Sequence, residues 1–499
     1  MNAAYAELKE RLAEIADLDG AASLLGWDQQ VKMPPGGAAV RAEQLATLGR
    51  LSHEALTSDE VGRLLDSLAP LAESQPYDSD EASLIRIVRR DWEKARRVPA
   101  DLRAEIARAG SLAMPVWVQA RQESDFKQFV PALRTNLELR RRYIACFDDY
   151  DEPYDVLLDD FEPGMKTAEV RSVFERLKEE QVPLVASARS QGERPVRQPS
   201  FPVARQQEFE LKVIERFGFD RSEWRLDTAV HPFATSISIN DIRLTTRYAG
   251  GNLDGLFSTM HECGHGLYEH GVDQALERTP LASGASLALH ESQSRMWENL
   301  VGRSLPFWRR FYPDLRATFP EALADVELED WYRDVNWVEP SLIRVEADEL
   351  TYNLHVILRF ELEQELLAEQ VSLEELPEVW NQRMEDYLGV RPPNDALGVL
   401  QDMHWAVGAI GYFSTYALGN VVSGQLWAKL NADLPDLADQ IEAGEFGALA
   451  DWLRERLWRH GRKYMPRELV ERITGGGLDP EPYLDYLKEK YPVAAPLAH

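Results

Sequence analysis

The sequence predicts a mainly α-helical protein with one small β-sheet near its middle. Three observations carry this. Apolar residues recur at spacings of three and four along most of the chain, the signature of one helix face. Proline- and glycine-rich breaks punctuate those stretches at 34–37, 391–394 and 474–477. One stretch, 236–248, instead alternates and is β-branched.

Leu8, Leu12, Ile15, Leu18, Ala22 and Leu25 mark the first helix, which Pro34-Pro35-Gly36-Gly37 ends. Similar amphipathic stretches follow at about 40–66, 82–96, 101–121 and 132–147. Segment 193–202 carries three prolines and reads as a loop, a candidate boundary between an N-terminal helical lobe and the rest. Ser236-Ile237-Ser238-Ile239 and Ile242 to Tyr248 flank Asn240-Asp241, which is a hairpin signal. Leu253, Leu256, Phe257, Met260 and Leu267 then restore the helical period, and Leu287, Ser294 and Trp297 mark a further helix. There is no repeat of fixed period and no low-complexity tract.

Composition excludes several classes. The chain has 499 residues, a net charge of −29, two cysteines and 44% hydrophobic residues. That apolar content is ordinary for a folded protein and argues against disorder. Two cysteines cannot build a disulfide scaffold, and they fit a reducing compartment. A strongly negative chain repels phosphate, so no nucleic-acid partner is expected. No apolar run approaches the roughly 18–20 residues needed to cross a bilayer; Trp405 to Phe413 is among the longest. The first ten residues mix charges and lack an apolar core, unlike a signal peptide. The expected location is the cytoplasm, with no membrane partner.

The chemistry concentrates at His261-Glu262-Cys263-Gly264-His265. Histidines four apart share one helix face, so both imidazoles can reach one metal ion. Glu262 beside them is placed to serve as general base. A catalytic zinc needs a third protein ligand and an open position. Glu269 lies too far along the same helix, about 12 Å of rise from His261. His270 falls one residue short of the metzincin spacing. The better candidate is Glu291, on a second helix that would pack antiparallel to the first, with Glu298 as the fallback. His290 is read as a supporting residue, and Asp348 as the acceptor that would orient an imidazole. Cys263 points off the ligand face and reads as small packing, which speaks against a cysteine nucleophile.

At these residues the sequence resembles the thermostable (Taq-type) zinc carboxypeptidases. Trp27-Asp28-Gln29 with Met33-Pro34, and Glu162-Pro163-Gly164-Met165, look like family stretches. His231-Pro232-Phe233 matches HPF, and Asp241-Ile242-Arg243-Leu244-Thr245 matches DxRxT. His261 to His265 is the HExxH, and His290-Glu291-Ser292-Gln293 matches the element supplying the third ligand. Ile343-Arg344-Val345-Glu346-Ala347-Asp348 matches IRxxAD, and Gly398 to Trp405 matches GxxQDxHW. Each motif is weak alone, but their order and joint presence are specific.

The resemblance implies one catalytic unit over 1–499: two helical lobes flanking a deep groove, with the metal at its floor and the small sheet near the active site. The neurolysin-like and angiotensin-converting-enzyme-like peptidases share that plan. It also implies a homodimer, a peptide substrate with a free C-terminus, and release of single residues with broad specificity, proline being disfavoured. Glu262 would take the proton of a metal-activated water and deliver it to the leaving amine. By resemblance, His404 and Tyr416 are candidate oxyanion donors, with Tyr412 as alternative. Arg344 is the first choice to bind the terminal carboxylate. Arg243 is the second, unless it pairs with Asp241 to hold the hairpin. His231 would support the site or cap a turn. Zinc is the expected metal, and cobalt can substitute in the same geometry. A zinc endo-oligopeptidase on the same fold, and an inactive peptide-binding scaffold, are the competing readings.

Overall fold

The first apolar stripe builds a 29-residue helix, Ala3–Val31, that buries Tyr5, Leu8, Leu12 and Ile15. Leu18, Ala22 and Leu25 are half-buried farther along it. The computed structural model describes residues 2–189, 194–196 and 200–492. It is 66% helical, with one three-stranded sheet among the described residues. The predicted stretch 40–66 is two helices, Ala38–Leu56 and Asp59–Ser74. Ser58 separates them by accepting the Val61 N–H at the second N-terminus. The next three stretches become Asp80–Arg97, Ala100–Glu123 and Phe126–Ile144. Of the proline-rich segment, residues 193 and 197–199 lie outside the described residues. No helix among the described residues is long and apolar enough to cross a membrane.

The chain forms two compact units. The first comprises Met1–Arg96, Pro195–Asp334 and Trp427–Gly475. The second comprises Arg97–Arg194, Val335–Leu426 and Gly476–His499.

The sheet belongs to the first unit. Strands β1 (Trp224–Thr228), β2 (Ala234–Ser238) and β3 (Asp241–Thr246) lie in the order β1-β3-β2. The expected hairpin is β2 against β3, antiparallel, with Ser236 opposite Ile242. Its turn is Ile239-Asn240 rather than Asn240-Asp241. The shift has a cause. Ile239 is buried in the apolar cluster with Leu12, Ile15 and Leu276. Its N–H donates to Glu277, and its carbonyl accepts from His270 Nδ1. The parallel strand β1 went unread because its Trp-Arg-Leu-Asp-Thr alternation is only five residues long. Arg225 and Arg243 are register partners on β1 and β3. Their guanidiniums lie 4.9 and 4.6 Å from the Trp27 ring, joining the first helix to the sheet.

The helix Asp254–His270, here the motif helix, packs on this sheet and on the helix Leu287–Arg295. Glycine makes both approaches close. A Cβ on Gly264 would stand 2.6 Å from the Gln293 carbonyl oxygen and 2.7 Å from Ser294 Cα. One on Gly266 would stand 2.4 Å from the Trp224 ring. Backbone cannot yield at such distances without moving a helix. Glu210, on the helix Val203–Phe217, accepts from Thr259 Oγ1 of the motif helix at 2.9 Å.

In the second unit the helix Tyr352–Leu367 is buried on most of its faces, and the buried residues include Asn353, His355, Arg359 and Glu363. These polar side chains hold other segments. Glu363 accepts from Trp405 Nε1 at 2.9 Å and the Gly411 N–H at 2.8 Å, and from the Tyr154 hydroxyl. Asn136 donates to the Trp405 and Ala406 carbonyls. These bonds fix the loop that carries His404.

Burial pushes the Glu210 carboxyl up to about 7. A raised carboxyl costs stability once the folded state must ionise it. The cost is absent below the ordinary glutamate range, grows through neutrality and is complete above about 7. Glu210→Gln therefore raises the melting temperature at pH 8 and leaves it nearly unchanged at pH 4.5, with a gain at the upper end of about 3 kcal/mol. A pH-independent shift would contradict this.

Candidate active site

The close helix crossing brings three expected side chains together. One nitrogen each of His261 and His265 and one oxygen of Glu291 lie within 4.8 Å of one another. Glu291 Oε2 stands 3.5 Å from His261 Nε2 and 3.6 Å from His265 Nε2. Its other oxygen accepts from Arg295 Nε at 2.7 Å, and Ser294 Oγ donates to Oε2. Gln293, two residues on, accepts from Trp458 Nε1 and anchors this helix from beneath.

Both imidazoles are oriented through their far nitrogens. His261 Nδ1 donates to Glu298 Oε2 at 2.9 Å. Glu298 is buried, yet Arg295 and His261 overcome that cost and hold its carboxyl down to about 2. It stays ionised and leaves the His261 Nε2 lone pair free. His265 is served differently. Its Nδ1 lies 3.2 Å from His290 Nδ1, and His290 Nε2 contacts Glu269 Oε1. The carboxylate of Glu269 also accepts from the Gly284 N–H and Ser236 Oγ. With Glu269 as the terminal acceptor, His290 takes the His265 proton bond and passes its own to the carboxylate.

Sequence reasoning read His290 as a supporting residue but missed the orienting roles of Glu298 and Glu269. Asp348 does not take that role: its carboxylate accepts the backbone N–H groups of Glu339, Leu350 and Thr351. Glu298, kept as a fallback ligand, is the orienting acceptor, carried on the π-turn Met296–Val301. Glu269 shares the row of His265, four residues on, which was the available signal. His270 is tied to the hairpin turn.

Glu262 is 7% exposed, and burial pushes its carboxyl up to about 7, opposed in part by a hydrogen bond from the Ala234 backbone at the start of β2. Cys263 is fully buried, and burial pushes its thiol above the ordinary range, which keeps it protonated. The Arg243 fork closes on Asp241 at 2.9 and 2.8 Å, within two residues of the same strand. His231 is exposed in the loop between β1 and β2.

The second unit gathers the remaining candidates. His404 Nε2 lies 3.4 Å from the Tyr416 hydroxyl, and its ring stands 5.3 Å from Tyr412. Burial pushes His404 down to about 4, so its imidazole is neutral at neutral pH. Arg344 is 5% exposed. Its Nε and Nη2 donate to Asp402 Oδ1 at 3.1 and 2.8 Å, and Nη1 donates to the Tyr352 hydroxyl. One edge of the Arg344 guanidinium is thus closed on the Asp402 carboxylate.

Comparison with known proteins identifies the family. The family model described as Carboxypeptidase Taq (M32) metallopeptidase matches residues 7–491. Thermostable carboxypeptidase 1 of Thermus thermophilus is 42% identical, over 98% of each chain. Carboxypeptidase 1 of Bacillus subtilis is 38% identical, over 97% of each. The crystal structure of an M32 carboxypeptidase from Deinococcus radiodurans superposes with a TM-score of 0.94 at 42% identity, covering 98% of this chain and 99% of that one. The chain belongs to the Carboxypeptidase Taq (M32) metallopeptidase family and is a peptide hydrolase of the metallocarboxypeptidase type.

Proposed function

We propose that the protein is a zinc carboxypeptidase that releases single C-terminal residues from peptides with broad specificity, proline being disfavoured. The convergence of His261, His265 and Glu291 carries the reading, with Glu262 adjacent on the motif helix. Two imidazoles and one carboxylate, each held from behind, fit a divalent ion of zinc type, and cobalt fits the same donors. A bound ion supplies Lewis acidity toward a water and a peptide carbonyl. The chain's own residues do the rest. Glu262, raised toward neutrality, accepts the proton of the attacking water and delivers it to the leaving amine. His404 and Tyr416, or Tyr412 in its place, donate to the developing oxyanion. Arg344 binds the terminal carboxylate, while Arg243, Asp241 and His231 support the site from the hairpin side.

The family match from residue 7 to 491 supports one catalytic unit over the whole chain. The family resemblance supports a homodimer. The two cysteines support a cytoplasmic location.

Glu262→Gln should lower kcat about 10³-fold, and metal content measured by mass spectrometry should not change. Retained activity would remove Glu262 from the reaction. Arg344→Ala should lower kcat/KM for a free C-terminus about 10²-fold, while circular dichroism stays native. An endo-oligopeptidase would be insensitive to that change.

A further inference from the structure

Arg344 does not stand alone. Asp402 Oδ1 accepts its Nε and Nη2, and Asp402 Oδ2 accepts Arg359 Nε at 2.6 Å. One carboxylate is therefore shared by two guanidiniums. Arg359 is completely buried, with Nη1 donating to the His355 carbonyl and its plane 4.5 Å from the Trp380 ring. Burying a guanidinium is costly, and here the cost is offset by the ion pair with Asp402. Arg359 follows the apolar run Val356-Ile357-Leu358 and sits four residues after His355.

Arg344 and Arg359 contribute two positive charges, and Asp402 contributes one negative. Glu363, one turn on from Arg359, is pushed by burial up to about 7, and its carboxyl is taken by Tyr154, Trp405 and the Gly411 N–H, so it is counted apart from the three. Burial, and for His355 the two arginines, push His355 and His404 down, so both imidazoles are neutral at neutral pH. Burial lowers Arg359 to about 10, which leaves it charged. The cluster therefore keeps one positive charge in a water-poor environment.

We propose that Arg359 is a positioning residue for substrate binding: it neutralises Asp402, so that Asp402 fixes the Arg344 fork without cancelling its charge toward the substrate carboxylate. The inference rests on Arg344 being the carboxylate anchor, as argued above. Asp402 alone would orient Arg344 and also silence it. With Arg359 on its second oxygen, Asp402 keeps the orienting role, and the excess charge awaits an anion. The other side of Arg344 is fixed by Gln401 Oε1, which accepts the Arg344 backbone N–H at 2.8 Å.

The test is a charge cycle on the metal-loaded full chain, read as KM and kcat on one peptide with a free C-terminus. Arg359→Gln should raise KM about tenfold with a smaller change in kcat, since it cancels one charge near the anchor. Arg359→Lys keeps the charge and should stay within about twofold of wild type. The double variant Arg359→Gln/Asp402→Asn restores the net charge and should recover most of the lost affinity. A purely structural role predicts that the double variant is worse than either single one, and that result would overturn the proposal. If Arg359→Gln does not fold, Asp402→Asn alone decides: an unchanged or lower KM supports the charge account, and a raised KM rejects it. Arg344→Ala separates the two levels. If it leaves KM unchanged, the anchor reading itself fails. If it raises KM while Arg359→Gln does not, only the present inference fails.

Discussion

The crossing of the motif helix on Leu287–Arg295 is the constraint from which the site follows. Two histidines on one helix define a face, but a face holds an ion poorly until a third donor arrives from elsewhere. Glu291 arrives because Gly264 lets the second backbone approach to a distance no side chain would permit. Arg295 then holds one oxygen of Glu291, and the other is left between the imidazoles. Trp458 holds the same helix through Gln293. Affinity for a cation here is thus a property of helix packing as much as of ligand identity.

The two histidines are supported by different chemistry. His261 leans on the ionised carboxylate of Glu298, itself balanced by Arg295 and Arg303. His265 leans on a second imidazole, whose far side reaches Glu269 and, through Glu269, the Gly284 N–H and Ser236 of β2. The first support is local to the Glu291 helix and its π-turn. The second couples the ligand set to the sheet. A charged acceptor makes its imidazole a stronger donor to a metal than a neutral one does, so the two ligands are electronically unequal. The sheet, tied to the first helix through Trp27, therefore belongs to the active site's support.

Much of this was legible in the sequence, and the limits are physical. Periodicity located the helices because burial of one face repeats with the helix turn. It fused Ala38–Leu56 with Asp59–Ser74, because Ser58 interrupts the backbone without interrupting the apolar pattern. Alternation found the hairpin but misplaced its turn, since the buried Ile239 outweighs turn propensity. HExxH and the glutamate 26 residues beyond His265 were readable from spacing and residue type. Glu298 was visible only as a spare ligand, because a π-turn changes where a side chain points and leaves no mark in spacing. Arg359 was not singled out at all. An arginine between Val356-Ile357-Leu358 and Phe360 is a signal, but its meaning depends on Asp402, 43 residues away.

The central claim is metal-dependent removal of residues from a free C-terminus. The most direct measurement is mass-spectrometric product analysis of one peptide, in free-acid and C-terminally amidated forms, with and without a chelator. The account predicts stepwise loss from the free acid only, abolished by chelation and restored by zinc or cobalt. Equal internal cleavage of both forms, or cleavage that survives chelation, would contradict it.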